Sequence, residues 1–223
     1  MSFTSPAQSL AIYGGTAFLA YLETSGYDKD HPFLLCLPTA VLCLLTLATT
    51  MHPKPRFATA ASFFLLSVAT YSQSSSRTAV VLSILIFSLA NIFYYISFRE
   101  LVTRWSKALW LLSLVLLTLS LFHLFYDLVV AIPFLIVVLS VLLATHVLIF
   151  VGAGSLCQFG YHGDYDSRQA SFLRLFGSIL SWTSTMLFLL NSFTRHTILL
   201  HTWSRILFYI AHGLLFIANE RTF

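Results

Sequence analysis

Acid is scarce in this chain. Eight Asp and Glu stand among 223 residues, against twelve Lys and Arg, and none of the eight falls in the middle of a long apolar stretch. Asp127 opens one such stretch; Glu23, Asp28, Asp30, Glu100, Asp164, Asp166 and Glu220 fall in loops, at span edges or in the tail. A pair of buried carboxylates set to activate water is therefore absent from the apolar interior. Cysteine is scarcer still. Cys36, Cys43 and Cys157 give neither a disulfide framework nor metal-ligand spacing, and the first two share a helix face as small packing residues. The nucleophile elbow G-x-S-x-G and the zinc motif H-E-x-x-H are missing. His123, His146 and His212 sit in different apolar stretches, so no metal and no cofactor is expected. The net charge of +4 comes from basic residues scattered singly, with no stripe or recognition motif, which argues against nucleic acid.

What the chain does have is long apolar runs such as 108–122, 128–151 and 198–218, in a composition 58% hydrophobic and 9% charged. Bilayer hydrocarbon is about 30 Å thick and takes about 20 apolar residues to cross as a helix. Every backbone polar group inside it needs an internal partner, so helices are the expected form. The reading is all-α: a polytopic transmembrane bundle of about eight spans, forming one integral membrane domain over 1–223. The expected spans are Ala7–Leu22, Phe33–Met51, Phe57–Gln73, Thr78–Phe98, Ser106–Phe122, Leu128–Val151, Ala170–Phe193 and His196–Ala218. The first is short and broken by Gln8, Gly14 and Gly15, and it lacks the basic n-region of a signal peptide. With a cytoplasmic N-terminus, the inside segments hold Lys54, Arg56, Arg99, Arg104, Lys107, Arg168, Arg174 and Arg221. The outside segments hold Lys29, Arg77 and Arg195, and Arg205 lies within the last span. Eight basic residues against three favour both termini in the cytoplasm.

Polar residues at membrane depth carry the remaining information. They are Ser67 and Thr70, then Asn91 and Tyr94 on one helix face, His146, Ser184 and Thr185, Asn191, and finally Arg205, Tyr209 and His212. Singly, each is explained by a bond to its own helix or to a neighbouring one. Together they predict a polar seam inside the bundle. The longest polar stretch, 152–169, with Tyr161, His162, Asp164, Tyr165 and Asp166, reads as a solvated connector.

Several of these patterns fall in register with a known family. Cys36-Leu37-Pro38 is similar to a Cys-Leu-Pro of animal members, and Phe87 to Tyr94 resembles F-x-x-x-H-x-x-Y. Gly177 to Ser184-Thr185, then Asn191-Ser192-Phe193, resembles G-x6-S-D followed by N-x-F; Phe208 to Leu215, with Tyr209, Ala211 and His212, resembles Y-x-x-A-Q-x-L. The chain thus resembles the YhhN-type lysoplasmalogenase family of eight-span membrane proteins. The resemblance implies hydrolysis of the vinyl ether of a lysoplasmalogen to a fatty aldehyde and a glycerophospho head group. Its partners are then membrane lipids and a lysophospholipid-like substrate.

The departures fall where the chemistry lies. Ala69-Thr70 replaces a G-D pair, Thr185 replaces the Asp of S-D, Asn91 a histidine and His212 a glutamine. The family's lysine before the second-span proline is lost as well, among Leu34, Leu35 and Cys36. Enol-ether hydrolysis is limited by protonation of carbon, which needs a real acid, and a threonine hydroxyl is far too weak. On the resemblance, His212 is the proton donor, with His146 in support, while Asn91, Tyr94, Thr70 and Thr185 orient water or the ether oxygen. Ser184, Asn191, Tyr209 and His146 line the substrate. The competing reading is a lipid-binding or regulatory membrane protein of the same fold that has lost its acids. A transporter is disfavoured, because no inverted repeat or carboxylate relay is visible. For the topology, single cysteines placed in the 26–31 and 52–56 loops of a chain stripped of its native cysteines should label from opposite faces of the membrane; same-face labelling refutes it.

Overall fold

Proline marks where the helices begin. In the computed structural model, which describes residues 5–27, 29, 31–73, 77–131, 133–160, 165–193 and 197–223, four of the helices open on a proline. These are α1 (Pro6–Glu23), α2 (Pro32–Ala48), α3 (Pro53–Tyr71) and α6 (Pro133–Phe159). Proline suits this position because its missing N–H has no intrahelical partner there anyway. The others are α4 (Arg77–Phe98), α5 (Lys107–Ala131), α7 (Tyr165–Phe193) and α8 (Ile198–Thr222), with one 3-10 turn, Arg99–Leu101. Among the described residues there is no strand. Ser5 caps α1 in a reciprocal pair with Gln8, and Thr197 caps α8 by accepting from the Leu200 N–H.

Among the described residues, four helical segments are long and apolar enough to cross a membrane: 79–101, 134–159, 166–193 and 198–222. The apolar segments 32–48 and 107–122 are shorter. Large apolar side chains face outward, Leu111 being 69% exposed and Leu199 68%. Water would penalise such a surface and hydrocarbon does not. The chain is an integral membrane protein.

α8 is the element around which the others gather. It packs along α7 and also touches α1, α2 and α3, while α5 lies outermost against α6. Gly177 brings α7 and α8 together: a Cβ there would meet the Leu215 side chain at 3.0 Å and the Ala211 carbonyl oxygen at 3.2 Å. α8 also fixes direction. Tyr13 and Thr70–Gln73 lie beside its first half, whereas Thr59, Ser97 and Arg174 meet its last turns around Asn219. Inside α2, Pro38 removes one ladder bond. The nearby carbonyls are used by other helices, Leu35 accepting from the Tyr209 hydroxyl at 2.6 Å and Cys36 from Ser67 at 3.2 Å.

Several sequence expectations need correcting. The 152–169 stretch is not a long connector: α6 runs to Phe159 and α7 starts at Tyr165. Gly152 and Gly154 are packing residues, facing Phe98 and Leu109, and Ser155 accepts the Ser106 N–H at 3.0 Å. The break between the fifth and sixth helices falls at Pro133 rather than near 123–127, so Asp127 belongs to α5. Glu220 is helical, within α8, not a tail residue, and Arg174, counted among the inside charges, is only 1% exposed. Asp28, Asp30, Tyr161, His162, Asp164 and Arg195 lie outside the described residues, as do the side chains of Arg77, His123, Asp127 and Tyr165.

Gly177 offers a direct test of the α7–α8 contact. Gly177→Val should lower stability by about 1–3 kcal/mol through overpacking, read as a fall in unfolding midpoint in micelles. Gly14→Ala, where a Cβ meets nothing within 4 Å, should leave the midpoint unchanged or slightly higher.

Candidate functional site

Threonine in a helix normally bonds back to the carbonyl four residues earlier, as Thr70 does to Leu66 at 2.8 Å. Thr185 does something different. Its Oγ1 lies 3.1 Å from Nε2 of His146, across the α6–α7 contact. Nδ1 of the same imidazole lies 3.0 Å from the Leu142 carbonyl and 3.1 Å from Nδ2 of Asn91. That amide also donates to Thr145 Oγ1 at 3.1 Å, and Thr145 in turn donates to the Leu142 carbonyl. A continuous polar chain therefore runs Asn91–His146–Thr185 across α4, α6 and α7. If Nδ1 carries the proton for the Leu142 carbonyl, Nε2 accepts from Thr185; the opposite tautomer makes Nε2 the donor.

This chain ends at a small cavity. Thr185, Ser184, Ser204, Arg205 and Gln73 supply its polar edge, and Ile84, Phe87, Leu142, Phe188 and Phe208 its apolar wall. Its volume is about 30 Å³, room for one or two waters where each needs about 10–15 Å³. Ser184 and Ser204 are already committed, donating to the Ser204 and His201 carbonyls. Arg205 donates through Nη2 to Gln73 Oε1 at 2.6 Å, while its Nε is buried without a partner.

His212 stands one ring behind the cavity. Its Nδ1 lies 2.7 Å from the Phe208 carbonyl, and the Phe63, Phe87 and Phe208 rings surround it. Phe87 links the two histidines, stacking on His146 at 6.2 Å and meeting His212 edge-on at 6.4 Å. The remaining expected residues lie elsewhere. Tyr94 donates to the Leu215 carbonyl at 3.0 Å. Tyr209 binds the Leu35 carbonyl. Asn191 accepts the Thr197 N–H at 3.0 Å and so closes the α7–α8 connection. Thr70 is occupied by its own helix, one turn before Gln73. The seam thus separates into a cavity group (Thr185, Ser184, His146, Asn91), a neighbour (His212) and four side chains whose hydrogen bonds are structural.

A second polar cluster was missed by sequence reasoning. The Arg174 guanidinium donates through Nη2 to Asn219 Oδ1 at 2.9 Å, Thr222 Oγ1 at 2.9 Å and the Ala218 carbonyl at 3.2 Å, and lies over the Phe98 ring. The Asn219 amide donates onward to Thr59 at 2.8 Å and Ser97 at 2.9 Å. Asn219 comes directly after the expected last span, which ends at Ala218, and runs on into Glu220 and Arg221, so it read as part of a polar tail. Arg205 and Gln73 were also left off the expected site, although a charge inside a span is itself a functional signal.

Among the described residues, no three His, Cys, Asp or Glu side chains converge as a metal site would require. Comparison of the chain with protein-family models, curated proteins and solved structures yields no match. The site therefore rests on its own geometry.

Asn219→Leu should leave Arg174, Thr59 and Ser97 short of partners and destabilise the fold by roughly 1.5–3 kcal/mol. Chemical unfolding in mixed micelles measures this; an unchanged midpoint would show that the cluster is dispensable.

Proposed function

We propose that the chain is an eight-span membrane protein with cytoplasmic termini that acts on a lysophospholipid-like amphiphile, as a lysoplasmalogenase-type ether hydrolase. The observation that carries this reading is the Thr185–His146 pair at the edge of a partly open cavity whose rim is polar and whose wall is apolar. A cavity of about 30 Å³ holds no alkyl chain. Only the polar end and the reacting bond enter, after Arg205 and Gln73 rotate aside, and the chain stays in the bilayer.

In vinyl-ether hydrolysis a proton adds to the alkene carbon distal to oxygen, leaving an oxocarbenium ion. Water captures the ion, and the hemiacetal collapses to aldehyde and alcohol while the proton returns to the base. His146 in its imidazolium form supplies that proton through the Thr185 hydroxyl, and the Leu142 carbonyl, accepting from Nδ1–H, holds the ring in place. His212, behind Phe87 and Phe208, orders the aromatic wall and is the second proton carrier. Among the described residues no carboxylate lines the cavity to steady the cation. Turnover is therefore slow.

The same lack of acid favours the second reading, a lipid-binding protein of this fold without chemistry. Aldehyde release from a defined lysoplasmalogen by purified protein decides between them. The hydrolase reading expects slow release that falls about 10²–10⁴-fold in His146→Gln, with a smaller loss in His212→Gln. Equal or greater loss in His212→Gln would transfer the acid role to that residue. No release from wild type, with lipid still bound, would leave the binding protein.

A further inference from the structure

Arg205 is a buried charge that the fold does not neutralise. It is 7% exposed, on the first half of α8, at the rim of the cavity. One arm is held by Gln73, Nε has no partner, and among the described residues no carboxylate pairs with it. Burying a guanidinium unpaired is costly, and full partnering is what normally permits it. Arg174 provides the internal comparison. Its Nε is buried without a partner as well, but its Nη2 has three acceptors and its guanidinium lies over Phe98. Arg174 is thus held by several groups of the fold, whereas Arg205 has one acceptor, Gln73, and stands at the edge of a cavity.

We propose that Arg205 is the anchor for the phosphate of a single-chain glycerophospholipid. This rests on the proposed reading only for the location of the site. A guanidinium fork matches a phosphate with two parallel N–H bonds, and Nε with one Nη forms such a fork. Gln73, its Oε1 already accepting from Arg205, presents its amide NH2 as a further donor. Ile84, Phe87, Phe188 and Phe208 stand directly beside this polar end. A soluble anion gains nothing from that wall, while an amphiphile places its first chain carbons against it. Phosphate at Arg205 would leave the glycerol and its ether oxygen toward Thr185, the next polar group along the rim.

The test uses full-length protein in nonionic micelles and three probes, measured by titration calorimetry. The probes are a saturated alkyl-ether glycerophosphate, the matching alkyl glycerol without phosphate, and inorganic phosphate. None contains a vinyl ether, so binding is read apart from turnover. Wild type should prefer the phosphate-bearing lipid by about tenfold or more, and that preference should weaken with salt. Arg205→Lys, which keeps the charge but loses the fork, should retain part of the preference; Arg205→Gln should abolish it. Inorganic phosphate at millimolar concentration should not displace the lipid. Equal binding of both lipids by wild type overturns the proposal, as does a full preference surviving in both folded variants. Displacement by inorganic phosphate as effective as by lipid would overturn the lipid assignment. Phosphate preference without aldehyde release would sink the hydrolase reading alone, and aldehyde release without phosphate preference would sink this one alone.

Discussion

Asn219 ties four helices together. Its carbonyl oxygen accepts from Arg174 on α7 and its amide donates to Thr59 on α3 and Ser97 on α4, while it stands on α8 itself. In hydrocarbon no water replaces a missing hydrogen bond, so this one side chain sets how the last turns of α8 face three neighbours. Arg174 is held at the same point by neutral oxygens and the Phe98 ring rather than by a carboxylate. A charge met by oriented neutral groups needs all of them in place at once. That requirement fixes one end of the bundle in a single arrangement.

The other half is built with more slack. Around Arg205 the polar groups are fewer, the hydroxyls of Ser184 and Ser204 bond to helix carbonyls, and a cavity remains. Between the two ends lie the aromatic rings of Phe87, Phe208 and Phe63, packed around His212. They separate a densely bonded polar cluster from a sparsely bonded one. A densely bonded end and a cavity with a spare donor are what a membrane protein needs to hold its fold and still admit an amphiphile.

Much of this was legible in the chain itself. The apolar runs overlap the helices throughout, although the proline that opens α6 fell inside the expected sixth span. The polar residues Asn91, His146 and Thr185 stood out because each interrupts an apolar run, and all three meet in one hydrogen-bonded chain. Tyr94, Tyr209 and Asn191 stood out for the same reason but bond to backbone elsewhere. Interruption of a run signals that a side chain needs a partner and says nothing of which partner it finds. Gly152 and Gly154 misled in the opposite direction: glycine beside polar residues reads as a loop, yet here it lets Phe98 and Leu109 close on α6.

Hydropathy and the length of the apolar runs were sufficient to determine an all-helical membrane chain. These are properties of single residues and short spacings, and bilayer physics acts on them locally. Which helix lies beside which was decided only in three dimensions. So was the difference between two arginines that look alike in sequence, Arg174 bonded three times into the end of α8 and Arg205 bonded to Gln73 at the edge of a cavity. The contacts that separate them join residues up to 132 positions apart, and no local pattern encodes a partner at that distance.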